Sequence, residues 1–233
     1  MDILHAIAKA FEEGGTWMYG ILLMQIFTIA IVIERAVTLF GKRKVSQKAL
    51  ANTFERDIRR GDLEAVVEAA KKLEGKEPLA RVVVAGANAA YNLGGQTEIQ
   101  GKMDEVLLEE NAVLERRVGF LAMLGNVATL TGLLGTITGM IKSFAAVSQV
   151  NPTEKATALS AGISEAMNCT AYGLVVAIPA LVAYAIVQNR STLLSEDLNQ
   201  AALKVFNWLS YSYETVPARP ARKETRQAEA TIN

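Results

Sequence analysis

The chain has 233 residues, 51% of them hydrophobic and 21% charged, and its 24 basic and 24 acidic residues cancel to zero net charge. A neutral chain without a basic face interleaved with aromatics argues against a nucleic-acid partner. A single cysteine, Cys169, excludes an intrachain disulfide, and with a single histidine, His5, near the other end of the chain it argues against a metal site.

The charges are not spread evenly. They are nearly absent from three blocks and crowded between them, which is the pattern of a membrane protein. Residues 1–16 form a short leading segment. Asp2, Glu12 and Glu13 stand where a signal peptide carries lysine or arginine, and no small-residue cleavage site follows, so no signal peptide is expected. The first apolar block, 17–40, opens on Trp17 and Tyr19, as interfacial aromatics do, and its only charges are Glu34 and Arg35 near its end. Roughly 20 residues at 1.5 Å each cover a hydrocarbon core of about 30 Å, so this block predicts a first transmembrane helix. Glu34 and Arg35 are expected at the inner interface, with Arg35 snorkelling.

Residues 41–117 read as a helical cytoplasmic domain. Gly61-Asp62 ends one helix and caps the next, LEAVVEAAKKL, and Gly75 and Pro78 punctuate again. Leu79 to Tyr91 is apolar, but about 13 residues are too few to span a bilayer, so a buried helix is expected there. From about Thr97 the pattern predicts a helix that runs without a break into the second span, 118–147. A polar link, 148–158, leads to the third span, 159–187, so spans two and three form a helical hairpin. A helical extension over 188–213 and a tail from 214 with Pro217, Pro220 and mixed charge, expected to be disordered, complete the chain.

Lys42, Arg43, Lys44 and Lys48 follow span one, Arg116 and Arg117 precede span two, and Arg190 follows span three. The link after span two carries only Lys155, balanced by Glu154. The positive-inside rule therefore places the N-terminus outside and both the 41–117 domain and the C-terminal tail inside. Lys142, late in span two, suits snorkelling towards the outer face.

Polar and small residues recur within the hairpin. In span two, Thr129, Gly132, Thr136, Gly139 and Ser143 step by three and four and make one stripe, with Gly135 and Gly139 a GxxxG pair. In span three, Ala166, Thr170, Gly173, Ala177 and Ala180 do the same. Such stripes let backbones approach closely, and helix packing alone accounts for the glycines and alanines. For Thr136 and Thr170 the spacing leaves two roles open: a hydroxyl bonded back to a carbonyl one turn earlier, or a pore-lining group.

Depth adds a constraint. Thr136 lies 16 residues before Pro152, in the middle of the link, and Thr170 lies 18 after it. With equal rise the two hydroxyls sit within roughly 3 Å of one depth. Glu165, 13 residues after Pro152, lies nearer the outer side, level with about Gly139. It is the only titratable group deep in any span. A carboxyl there costs roughly 2.5–3.5 kcal/mol at a helix centre, so it is either a hydrogen-bonded structural group at a helix contact or part of an ion path. Asn168 suits an interhelical hydrogen bond, and Pro179, which removes a backbone hydrogen bond, is expected to kink span three. No Asp, His or Lys accompanies Glu165 at depth, so this chain alone makes an incomplete proton path.

The hairpin segments GLLGTITGM and GISEA…TAYGLVVAIPA resemble the MotA/TolQ/ExbB family of inner-membrane proton-channel subunits, and Ile33-Glu34-Arg35 and RGDLEAV add to the resemblance, which covers about residues 15–190. Three spans and an N-out orientation suit the TolQ/ExbB branch rather than the four-span MotA branch. The resemblance implies a homopentamer around the single transmembrane helices of two copies of a TolR/ExbD-like partner, whose transmembrane aspartate picks up and releases the ion. It implies that Thr136 and Thr170 line the surface facing that aspartate, with Glu165 nearby, and that ion flow rotates the ring and drives work in the envelope. Asn168, Cys169 and Tyr172 depart from the family's smaller or more apolar residues.

Two functions are thus in view. One is an ion-driven motor or stator subunit serving outer-membrane transport, a Tol–Pal system or gliding motility. The other is a non-conducting scaffold that stabilises a partner complex. No metal-ligand spacing, nucleophile–histidine pair or phosphate loop supports an enzyme, and no cofactor is expected.

Overall fold

The computed structural model describes residues 11, 14–42, 45–92 and 94–211. Most of the leading segment 1–16, Arg43 and Lys44, and the tail from 214 lie outside the described residues. Within them the chain forms α1 (Thr16–Ala36), a π-helical turn (Val37–Lys42), α2 (Gln47–Arg59), α3 (Leu63–Lys71), α4 (Pro78–Asn92), α5 (Gln96–Glu115), α6 (Val118–Val147) and α7 (Lys155–Ser210), with no strand. It is an all-α protein, and among the described residues three helices are long and apolar enough to cross a membrane: one begins at Thr16, one ends at Val147 and one is α7. The chain divides into two units, one of residues 1–47 and 108–199, the other of 48–107 and 200–233.

The first unit is built inside out relative to a soluble protein. Large apolar side chains such as Leu23, Ile26, Leu130, Ile141 and Ile178 are exposed, while Gly125, Ala128, Gly132, Gly135 and Gly139 of α6 are buried. Lipid tails are as apolar as leucine, so burying leucine between helices brings no gain; close backbone packing does. α6 and α7 run antiparallel in a tight register. Gly162 faces Ser143, Gly139 faces Ala166, Gly132 faces Gly173, and Gly125 faces Leu181. α1 packs against this pair through Met18 and Ile21, which share a buried cluster with Ala128, Cys169, Val176 and Ala177.

Three expectations about this unit are corrected. First, the helix expected to run unbroken from about Thr97 into span two is interrupted at Arg116–Arg117, where Arg117 takes a left-handed φ of 62°. The break has partners that compensate it. A helix end leaves its last carbonyls without intrahelical donors. Here Arg35 Nη1 donates to the Val113 carbonyl at 3.2 Å and the Ser191 hydroxyl to the Leu114 carbonyl at 2.9 Å. Arg117 in turn reaches Glu34 at 2.5 Å. Second, Arg35 does not snorkel. It is 3% exposed, because that carbonyl and Glu34, at 3.4 Å, draw its guanidinium inward. Third, the link is shorter than 148–158. α7 begins at Lys155, since nothing after Pro152 opposes a helix, and it continues through the third span and its extension as one element of 56 residues.

The second unit is a small helical domain. Gly61, at φ 76°, turns the chain, and the Asp62 carboxylate caps α3 by accepting from the Ala65 N–H at 3.1 Å. Pro78 opens α4, where its missing N–H costs nothing. α3 packs against α4. Leu79, Val82, Val83 and Ala87 of α4 are fully buried, so the apolar run from 79 to 91 is a core helix and not a fourth span. Gly86 admits Met103 and Leu209 against the helix: a Cβ there would lie 2.6 Å from Met103 Sδ.

Candidate functional site

The hairpin register brings Thr136 of α6 and Thr170 of α7 together. Their hydroxyl oxygens are in direct contact. The Thr136 hydroxyl also lies 3.2 Å from the Gly132 carbonyl and 3.3 Å from the Ala166 carbonyl, and the Thr170 hydroxyl lies 3.1 Å from the same Gly132 carbonyl. Two hydroxyls and two carbonyls thus crowd into one half-buried cluster. Two hydroxyl protons cannot serve all of these contacts at once, so lone pairs are in excess. Such a cluster can receive a hydrogen-bond donor or a cation.

Glycine makes the cluster possible. A Cβ on Gly132 would stand 3.3 Å from the Cys169 carbonyl oxygen and from the Cα atoms of Thr170 and Gly173. A side chain at that position would push these backbone neighbours away by a few tenths of an ångström, directly beside the two hydroxyls.

Glu165 belongs to a different layer. Its carboxylate accepts from Lys142 Nζ at 3.3 Å and lies against Gly15, at φ 70°, just before α1. Its side chain is 28% exposed. Lys142 and Glu165, with Ser143, Ser160, Gly162 and Ser164, line an open cavity of about 440 Å³ at the joined end of the hairpin.

The remaining small residues mostly form the seam. Gly132, Gly139, Ser143, Ala166, Gly173, Ala177 and Ala180 are all buried, and the Ser143 hydroxyl donates to the Leu159 carbonyl at 3.1 Å. Thr129 is the exception. It is exposed and its hydroxyl turns back to the Gly125 carbonyl at 3.1 Å, so the buried stripe of α6 passes through Gly125 and Ala128 instead. Pro179 lies inside α7 without ending it. Two contacts carried no signal in the sequence spacing. The Tyr172 hydroxyl bonds Gln25 across the α1–α7 contact, and Phe11 stacks edge-on against Tyr172 at 5.0 Å. Lys142 as the partner of Glu165 is the third omission; its one-turn proximity across the hairpin becomes visible only once the register is fixed. Among the described residues no group of three or more His, Cys, Asp or Glu gathers to hold a metal.

A three-helix membrane unit with a hydroxyl cluster in its glycine-lined hairpin is a recognisable class. Residues 74–200 match the model of the MotA/TolQ/ExbB proton channel family, and the chain belongs to that family. It is 30% identical over 227 residues to the biopolymer transport protein ExbB of Salmonella typhimurium, with 88% of each chain covered. A putative biopolymer transport protein ExbB homolog of Methanothermobacter thermautotrophicus is 25% identical over 211 residues, covering 89% of this chain and 72% of that one. The Tol-Pal system protein TolQ of Pseudomonas aeruginosa is 38% identical over 92 residues, covering 40% of this chain and 39% of its own. The protein is therefore a multi-pass inner-membrane member of a family whose role is proton-channel energy transduction.

Proposed function

We propose that the chain is the multi-span subunit of an ion-driven motor, with the proton as its ion. Five copies surround a dimer of a single-span TolR/ExbD-like partner. The N-terminus is periplasmic and the C-terminus cytoplasmic. The partner's transmembrane aspartate carries the proton past the Thr136–Thr170 cluster, and the movement that follows does mechanical work on the envelope, in outer-membrane transport, a Tol–Pal system or gliding motility. The role is transduction rather than catalysis.

The observation that carries this reading is the hydroxyl cluster itself. It is rich in acceptors, half-buried among glycines, and holds no carboxylate of its own. A protonated carboxylic acid is a hydrogen-bond donor that such a cluster can receive, and a deprotonated one can accept a hydroxyl proton from it. The test is co-reconstitution with a single-span partner bearing a transmembrane aspartate, followed by proton flux into liposomes under an imposed potential. Flux that needs both proteins and that aspartate is the expected result. A complex that assembles but passes no protons identifies a scaffold instead.

A further inference from the structure

Lys142 has no part in the mechanism just proposed, yet it stands on the wall of the open cavity at the joined end of the hairpin. A fixed cation at the mouth of a cation path opposes the passage of ions. Its ammonium is 3.3 Å from Glu165 Oε1, close enough for one charge to cancel the field of the other outside the pair. Glu165 is also hemmed in on a second side. Gly15 leaves no room for even a methyl group beside the carboxylate, and α1 begins there with no acidic residue in its first turn and no side-chain cap. The carboxylate is held between an ammonium and the start of a helix, a full layer away from the Thr136–Thr170 cluster.

We propose that Glu165 acts as the counter-charge of Lys142, and that the two form a positioning pair at the mouth of the ion path rather than a station on it. This rests on the ion-conducting reading above. Glu165 holds the ammonium against the cavity wall and cancels its repulsion. Lys142 becomes a residue that sets the rate of ion access.

The experiment uses the complex with its single-span partner in liposomes, with protons driven by a potassium–valinomycin potential and read by a pH-sensitive dye. Glu165→Gln exposes the charge of Lys142 and lowers flux about fivefold at low salt, the weight of one unit charge about 4 Å away in water. That deficit shrinks as choline chloride is raised from about 10 mM to about 1 M, over which the screening length falls from ~30 to ~3 Å. The double variant Lys142→Gln/Glu165→Gln returns flux to within about twofold of the wild type, since neither charge remains. Lys142→Gln alone raises flux, which serves as the test if Glu165→Gln fails to assemble with the partner. A double variant as slow as Glu165→Gln, a deficit indifferent to salt, or a Lys142→Gln flux at or below the wild type overturns the proposal. Absence of flux from the wild-type complex overturns the ion-conducting reading itself, and this inference with it.

Discussion

Gly132 and Gly173 meet backbone to backbone across the hairpin, the Cα of each standing where a side chain of the other would go. A Cβ on Gly173 would lie 3.1 Å from Gly132 Cα and 2.9 Å from the Ala128 carbonyl oxygen. These neighbours are main-chain atoms and cannot swing aside. This pair is one of the close contacts, with Gly139–Ala166 and Gly162–Ser143, that set the approach of α6 and α7 and so the hydroxyl contact between Thr136 and Thr170.

Gly173→Ala is therefore expected to destabilise the hairpin by about 1–3 kcal/mol, the usual cost of overpacking. Gly119→Ala, in the same helix as Gly132 but with open space around it, is the control, and gains up to ~1 kcal/mol from helix propensity. Thermal unfolding in detergent micelles, followed by circular dichroism, separates the two. Equal melting temperatures would show that the seam is looser than its geometry.

Thr136→Val and Thr170→Val keep shape and remove a hydroxyl. Each is expected to cost about 0.5–1.5 kcal/mol of stability. If the proton takes the path proposed above, partner-dependent flux is expected to fall by up to about tenfold in each, the weight of one lost hydrogen bond. As the hydroxyls act as one unit, the double variant should be little worse than either single one. Additive losses would mean that the two residues work independently.

At Arg117 two opposing effects are separable. A non-glycine residue in the left-handed region costs about 1–2 kcal/mol, while the solvent-exposed pair with Glu34 contributes little. Arg117→Gly is expected to be as stable as the wild type or more so by up to ~1 kcal/mol. Arg117→Val loses the pair and keeps the strain, and should melt lower than either. The order of the three melting temperatures is the check.

In the second unit, Asp62→Ala removes the cap of α3. The expected loss is about 1 kcal/mol, confined to that helix. Amide exchange at Ala65, whose N–H the carboxylate holds, should accelerate, while the buried amides of Val82 and Val83 in α4 stay protected. Unchanged exchange at Ala65 would deny the cap.

Much of this fold was legible in the sequence because its signals are local. Three nearly uncharged blocks define the membrane helices, Gly61-Asp62 and Pro78 mark helix boundaries, and counting outward from Pro152 puts Thr136 and Thr170 at one depth. What escaped depends on residues far apart in the chain. Arg116-Arg117 has no helix-breaking residue, and the interruption there is compensated by Glu34, Arg35 and Ser191, none of them nearby in sequence. Arg35 reads as an interfacial arginine until the carbonyl of Val113 is placed beside it. Thr129 fits the periodic stripe of α6, but three-and-four spacing tolerates two neighbouring faces, and the buried one runs through Ala128. Lys142 reads as a snorkelling side chain because its partner lies on the next helix.

α7 carries one further consequence. From Glu165 to Asp197 it is a single uninterrupted helix, about 48 Å long at 1.5 Å per residue. At the end of that stretch Asp197 accepts from the Gln47 N–H at 2.6 Å and from the Ser46 hydroxyl at 3.3 Å, where α2 begins. A continuous helix has no slack. In the motor proposed above, a turn or stroke imposed beside Thr170 would be carried along this helix to Ser46–Gln47, so the polypeptide that lines the hairpin would also serve as its push rod.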